Sequence, residues 1–431
     1  MKHPLELTIV SQYFYPDFGA EGQLMTDLAL GLRKMGCEVT VLCTQPSYAF
    51  RDRAPRAEVH EGVEIHRVLS TSFDRKGRVG RAINYVTFLV SLLVSTLVQR
   101  RSGCLLIVCG APFLGLVGYV ANRLRGRPFI LLVLDVFPEA AIRLGYLRPD
   151  GLGHRMWDAL NRLVIRRAAR VVALSDAMKQ ILMKKVNGAA ASEPGKFVVI
   201  HNWADPELMR PRPKTENWFA TREGLEGVFV VLYSGNMGLS HDLETVIEAA
   251  VRLRDRDILF LFIGDGAKKA KLEAMVAQQR LQNVRFLPYQ TREVFPYSAT
   301  CSDVSLVAQE SGIEGLAMPS KIYTCLASGR PIVALVEGDS EVARIVNTGR
   351  CGRVTSPKDA DGLVEAIDHY DRNREAAARD GQNGRAYFEK RFTLTRACLE
   401  YHDLLASLTA GPNAGNGIDP EATALVGSAR R

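Results

Sequence analysis

The chain has 431 residues, 47% of them hydrophobic and 24% charged, with a net charge of +8. This composition excludes a disordered, collagen-like or disulfide-scaffold protein, and the length exceeds what one hydrophobic core usually supports, so two domains of roughly 200 residues are expected. The basic surplus crowds into the first half, at 51–56, 67–81, 100–101, 123–127 and 162–170, which suits a nucleic acid, an anionic membrane surface or a phosphorylated substrate.

Residues 5–14 form an apolar run that ends in Tyr13-Phe14-Tyr15-Pro16. Gly19-Ala20-Glu21-Gly22 follows, then a helical pattern on Leu24, Leu28 and Leu32 that Gly36 closes, then a second strand over 38–44. This is a βαβ opening. Its glycine turn lacks the G-x-G-x-x-G spacing; it either admits a sugar or phosphate to the backbone or is a plain strand-to-helix turn. No apolar stretch at the start has signal-peptide length, and the eight cysteines (37, 43, 104, 109, 301, 325, 351, 398) lack metal-ligand pairing. A cytoplasmic protein with buried free thiols is expected.

After a third strand over 63–68 comes NYVTFLVSLLVSTLV, residues 84–98, with Arg75, Lys76, Arg78 and Arg81 before it and Arg100 and Arg101 after it. It is too short to span a bilayer comfortably. A helix of this kind suits an anionic membrane interface, and a buried helix of a doubly wound domain is the competing reading. Strands at 105–109 and 129–134 follow, the second delivering Asp135 and Glu139 to the sheet edge where open α/β sheets carry function. Glu139, just after Pro138, is also an ordinary first-turn acid.

A helix at 153–169 and strands at 171–174 and 197–200 complete the first unit. Residues 205–227 are rich in Pro and charge and read as a linker. The βα pattern then restarts, with strands at 228–233, 259–263, 284–287, 304–307 and 332–336. Three of them open on Gly235-Asn236, Gly264-Asp265-Gly266 and Pro288-Tyr289-Gln290. Helices at 357–372, 374–392 and 394–408 close the pattern. The expected fold class is α/β: two consecutive Rossmann-like doubly wound domains facing a cleft.

The stretch QESGIEGLAMPSKIYTCLASGRPIVALV, residues 309–336, combines a glycine-bearing loop, the turn Pro319-Ser320-Lys321, a short helix and the stop Gly329-Arg330-Pro331. Such a turn aims backbone N–H groups and the positive end of a helix at a ligand, which is how a diphosphate is held. Lys321 and Arg330 add full charges. Otherwise Pro starts the helix, Gly ends it, and the basic residues are solvated. Nucleic-acid binding is not expected, because the basic clusters lack interleaved aromatics or a recognisable module.

The ordered run YFYPDFGAEG, LDVFPE, IHNWAD, YSGNMGLSHDLETVIEAA, FIGDG, NVRFLPYQ and PSKIYTCLASGRPIVA resembles the retaining glycosyltransferases of family 4, over about residues 5–405. It is most similar to the branch that builds O-antigen, colanic acid and other exopolysaccharide units. The resemblance implies the glycosyltransferase-B fold, with an acceptor-binding domain over 1–204 and a nucleotide-sugar domain over 228–392 on either side of the linker 205–227; by their own composition, residues 393–408 read as a helix packing back on the first domain and 409–431, rich in Gly, Pro, Asn and Ala, as a disordered tail. The resemblance further implies a nucleotide-diphosphate sugar as substrate, a lipid-linked saccharide acceptor, transfer with retention, and no cofactor or obligatory metal. Together with residues 84–98, it implies a peripheral position at the inner face of the plasma membrane.

Carried onto this sequence, the family's diphosphate-clamping Arg and Lys match Asn236 and His241. Its paired glutamates fall on Leu316 and Thr324, leaving Glu314 or Glu310 in the first role and Lys321 and Arg330 to supply charge. Asp135 lies in the region of the family's cleft histidine. The expected catalytic residues are Asp135, Glu139 and Lys321. The expected donor site is Gly19, Gly235, Asn236, His241, Gly264, Asp265, Gly266, Tyr289, Glu314, Gly315, Pro319, Ser320, Lys321 and Arg330. A sugar-nucleotide epimerase on the same fold and a membrane-associated scaffold without catalysis are the rival readings.

Overall fold

The computed structural model describes residues 4–17, 19–46, 54–71, 78–99 and 103–409. The first sheet holds β1 (Glu6–Val10), β2 (Glu38–Cys43), β3 (Ala57–His60), β4 (Val63–Arg67), β5 (Cys104–Cys109), β6 (Phe129–Val133), β7 (Arg170–Ala173) and β8 (Phe197–Val199), in the order β3-β4-β2-β1-β5-β6-β7-β8. The second holds β9 (Phe229–Ser234), β10 (Ile258–Ile263), β11 (Val284–Leu287), β12 (Val304–Ala308), β13 (Ile332–Leu335) and β14 (Gly352–Thr355), in the order β11-β10-β9-β12-β13-β14. Helices on both faces explain why central strands such as FILLV of β6 are apolar at every position rather than alternating. Among the strands of the described residues only β3 and β4 pair antiparallel, through a hairpin turning at Glu61 and Gly62, both with positive φ. That hairpin and the edge strand β14 extend the strand pattern read from sequence.

In both sheets the winding direction reverses beside the first strand. The first chain half moves from β1 outward through β2, then returns to β5 on the other side; the second moves from β9 through β10 and returns to β12. Ligands of open α/β sheets bind beyond the carboxyl ends of the strands at such reversals. The fold therefore aims two switch points, β1/β5 and β9/β12, at one another.

Six helices of the first domain matter below: α1 (Ala20–Lys34), α2 (Arg78–Val98), α3 (Gly115–Arg125), α4 (Glu139–Arg143), α5 (Leu152–Arg167) and α6 (Asp176–Val186). One side of α2 buries Phe88, Leu92 and Thr96, while Val79, Val86, Val90, Val94 and Val98 on the other are each more than half exposed. The buried-helix reading of residues 84–98 thus holds for one side of α2, and the other side is an exposed apolar stripe. Arg75, Lys76, Arg100 and Arg101 lie outside the described residues. No described helix is long and apolar enough to cross a membrane. All eight cysteines are free, and six are buried.

Residues 205–227 are not a free linker. A helix at Trp218–Arg222, capped by the Asn217 side chain, buries Phe219 and Ala220, together with Leu225, against Val230, Leu232 and Leu261 of the second domain. Apolar residues scattered among Pro and charge supplied this packing. The helix Leu394–Thr409 returns to the first domain and sets Ala397, Cys398, Tyr401 and Leu405 into its core beside α1. Gly31 of α1 leaves room for the Cys398 sulfur, which a Cβ there would strike. Thr409 is helical, whereas the rest of the expected tail, 410–431, lies outside the described residues.

Candidate functional site

The two switch points bound a cleft of about 530 Å³ between the domains. On the second domain its wall includes Gly235, Asn236 and His241 after β9, Tyr289 after β11, and Pro319, Ser320, Lys321 and Thr324. Lys321 opens the helix Lys321–Ala327, and its Nζ stands 3.3 Å from the centre of the Tyr233 ring. That amine is buried and has no hydrogen-bond partner among the described residues. Burial pushes its pKa down to about 7. An ammonium held against an aromatic face without a counter-ion is poised for an arriving anion.

The neighbouring glycines explain how the amine gets there. Gly235 has φ +136°, and a Cβ on it would lie 3.4 Å from Lys321 Cε. Gly264 and Gly266 also have positive φ, and a Cβ on either would collide with the backbone of Gly235 or Met237. Asp265 fixes the same loop, its carbonyl accepting from Met237 N at 2.8 Å and its Oδ1 from Gly266 N at 2.8 Å. Gly264, Asp265 and Gly266 therefore shape the β9 loop from behind. His241 Nδ1 lies 2.9 Å from the Ala308 carbonyl oxygen, which makes Nδ1 the protonated nitrogen. Burial, then the Lys321 charge, pushes its pKa down to about 3, so His241 brings a neutral ring to the cleft.

On the first domain the wall includes Gly19, Glu21, Asp27 and Asp135. Glu21 Oε1 accepts from Ser11 Oγ at 2.7 Å, Gln12 N at 3.1 Å and Tyr13 N at 3.3 Å. Burial raises its pKa despite these bonds. Asp135 follows β6, and its carboxyl makes no hydrogen bond with the described residues. Burial, then the Glu21 charge, pushes it up to about 7. Two carboxyls whose environments disfavour ionisation thus face a lysine whose environment does the same. Asp27 bridges the cleft to Arg292 at 2.7 Å.

Family models match both halves of the chain: the "Glycosyl transferase 4-like domain" over residues 19–203 and "Glycosyl transferases group 1" over residues 228–372. A relative, the probable glycosyltransferase WbjE of Pseudomonas aeruginosa, is 30% identical over 295 residues, covering 67% of this chain and 71% of WbjE. The chain belongs to the family 4 glycosyltransferases. WcaI of Escherichia coli K12, a candidate colanic acid biosynthesis glycosyl transferase, is 26% identical over 84% of this chain and 91% of its own. The crystal structure of Anabaena HepE in complex with UDP-glucose superposes with a TM-score of 0.71 at 15% identity, covering 94% of this chain and 100% of HepE. That likeness identifies the glycosyltransferase-B fold.

Several expected site residues of this glycosyltransferase stand outside the cleft wall. Glu139 pairs with Lys185 at 2.6 Å, and Lys185 also holds Asp158 at 2.7 Å. This knits α4, α5 and α6 together and turns the carboxyl away from the cleft. Arg330 is spent on backbone, donating to the Arg212 carbonyl at 2.6 Å and that of Thr300 at 2.8 Å. It ties residues 205–227 to the second domain. Glu310 pairs with Lys268 at 2.6 Å. Glu314 Oε1 accepts from Gly312 N at 3.0 Å.

Gly315 (φ +70°) faces not the cleft but α6, where a Cβ would come 2.8 Å from Ile181. The whole loop leans on the first domain. Arg143 donates to the Ser311 carbonyl, Val136 N to the Leu316 carbonyl at 2.7 Å, and the Leu316 side chain packs on the first core. Asp242, Glu244 and Glu310 gather within 4.8 Å of one another. The Lys268 ammonium already bonds two of the three, and Asp242 accepts from Thr245 and Lys358 N, so this cluster is met by the protein's own donors.

Glu21 and Asp27 line the cleft although the sequence does not single them out. The only signal was an acid inside a glycine-bounded turn and another on the apolar stripe of α1, both ordinary for a first helix.

Proposed function

We propose that the protein moves a sugar from a nucleotide-diphosphate sugar to a lipid-linked saccharide acceptor, with retention of configuration, during assembly of a cell-surface polysaccharide. The observation that carries this reading is the buried, unpartnered Lys321 amine in the wall of the cleft. A nucleoside diphosphate gains negative charge as the glycosidic bond breaks. Lys321 is positioned to take that charge, with Gly235 and Asn236 admitting the diphosphate close to backbone. One such preorganised contact in a dry site is worth about 3 kcal/mol.

On the acceptor side Asp135 is the carboxyl free to meet a sugar hydroxyl, with Glu21 held behind it by three donors. The acceptor oxygen attacks from the face the leaving group vacates, and the departing phosphate takes its proton. Neither carboxyl has an opposing partner that would mark it as a nucleophile of the retaining-hydrolase kind. The names of WbjE and WcaI and the UDP-glucose held by HepE favour this substrate class. The valine stripe of α2 supplies an apolar face for an anionic membrane surface, where a lipid-linked acceptor resides.

The test is thermal stabilisation of the full chain by a panel of nucleoside diphosphates, repeated on Lys321→Ala. One diphosphate is expected to stabilise the parent selectively and to lose that effect in the variant. A panel without a selective binder, or equal stabilisation of the variant, would sink the reading.

A further inference from the structure

Beside the cleft lies a second, much smaller pocket of about 40 Å³ inside the first domain, and Asp135 is the residue that walls both. Its other walls are mostly apolar and include Ala111, Phe113, Val136, Phe137 and Trp157, with Asn161, whose amide donates to the Phe137 carbonyl at 2.7 Å, as a polar exception. The Trp157 indole stacks on Phe137 at 5.3 Å and meets Phe113, tilted, at 4.7 Å between ring centres. Its Nε1 is buried and has no hydrogen-bond partner among the described residues. A buried donor left unpaired is costly, and so is Phe113 at φ +62°. The fold therefore maintains, at one small pocket, an orphan donor and an unbonded carboxyl.

The volume limits what can enter. It matches two or three waters or a group of a few heavy atoms, and a sugar ring is too large. The apolar walls offer water few partners. An acetamido group presents a methyl, one acceptor and one donor in the same small span. We infer that this pocket takes the acetamido group of an N-acetylated acceptor sugar, whose ring stays in the cleft. The methyl sits against Ala111 and the aromatic walls, the carbonyl accepts from Trp157 Nε1–H, and the amide N–H donates to the Asp135 carboxyl. A plain hydroxyl would leave the indole unpaired and the apolar space empty. The assignment rests on reading the first domain as the acceptor side.

Saturation-transfer NMR on the full chain tests it, comparing octyl N-acetyl-β-D-glucosaminide with octyl β-D-glucoside. The acetyl methyl is expected to receive the strongest saturation, and the N-acetylated glycoside to bind about tenfold more tightly. Trp157→Phe keeps the ring stack and removes the N–H; it is expected to cut that preference at least about threefold. Ala111→Val fills the pocket and is expected to abolish it, with melting curves confirming that both variants fold.

Equal affinity for the two glycosides, no saturation transfer to either, or a preference unchanged in both variants overturns the proposal. A preference seen only among nucleotide sugars would move the pocket to the donor and overturn it equally. Nucleoside-diphosphate stabilisation measured on the same preparations reports on the second domain, so failure of the donor reading is seen separately.

Discussion

Asp135 of the first domain and Ala317 of the second form an antiparallel backbone bridge across the cleft, four residues before Lys321. The residue that presents the first-domain carboxyl and the loop that leads to the Lys321 amine are therefore joined through backbone. Moving one domain displaces both groups.

The glycine that allows this contact is Gly315. Its φ of +70° and the 2.8 Å approach to Ile181 both exclude a side chain. Gly315→Ala should push the loop off α6 and widen the cleft. Small-angle scattering is expected to record a larger radius of gyration, and transfer to fall at least about tenfold, since ångström-scale misplacement is that expensive in a two-substrate site. Nucleotide binding should weaken with it, because the same loop carries Pro319, Ser320 and Lys321 of the cleft wall. Unchanged dimensions and turnover would reduce the bridge to an incidental contact.

Lys321→Ala is expected to lower transfer at least about tenfold with the fold intact by circular dichroism. Near-normal turnover would remove Lys321 from the chemistry.

The lysine should also announce itself through protons. Its free-enzyme pKa is pushed down to about 7, and a bound diphosphate must raise it. At pH 8 nucleotide binding should take up close to one proton, and affinity should weaken as pH rises further through the pKa of the bound state. Calorimetry in buffers of different ionisation enthalpy reads this directly. Binding heats independent of buffer would contradict it, as would the same proton uptake in Lys321→Ala.

Asp135 gives a stability signature of the opposite kind. Its folded pKa of about 7 exceeds that of an unfolded aspartate. The unfolded chain therefore releases this proton first as pH rises, and the folded state loses stability between about pH 4 and pH 7. Asp135→Asn should melt at least about 2 °C higher than the parent at pH 8, with the gap closing below about pH 4. An equal gap at both pH values would mean that the gain is not electrostatic.

For the membrane surface, the fold dictates a gentler probe than deletion of residues 84–98, which would remove Phe88 and Leu92 from the core. Val86→Glu with Val90→Glu alters only the exposed stripe. Co-sedimentation with anionic liposomes is expected to drop at least about fivefold, since two charges oppose burial of that face. Full pelleting of the double variant would assign the stripe no membrane role.

Much of this architecture was legible from the alternation of apolar runs with helical periods, because strands buried on both faces must be apolar throughout. The β3–β4 hairpin was hidden in a short, half-exposed pair whose turn rests on Glu61 and Gly62. Lys321 and Gly235 stood out through turn chemistry that is local in sequence. The position of Glu139 and Arg330 outside the cleft wall has the converse reason. Whether a charged side chain faces a cleft or a neighbour depends on partners such as Lys185 and the Arg212 carbonyl, which lie 46 and 118 residues away. Glu21 looked like a routine helix-start acid, and only its burial behind Ser11 distinguishes it.

The chain leaves the first domain at Ala204 and re-enters it at Leu394, the two crossings lying side by side with Ala204 N bonded to the Phe392 carbonyl and Leu394 N to the Ala204 carbonyl. Since Tyr401 and Leu405 complete the first core, that domain cannot finish folding as it emerges from the ribosome. It must wait, partly uncovered, until the whole second domain has been made. The last helix therefore acts as a late closing step of synthesis, and a chain truncated before residue 394 would leave the face of α1 open to aggregation.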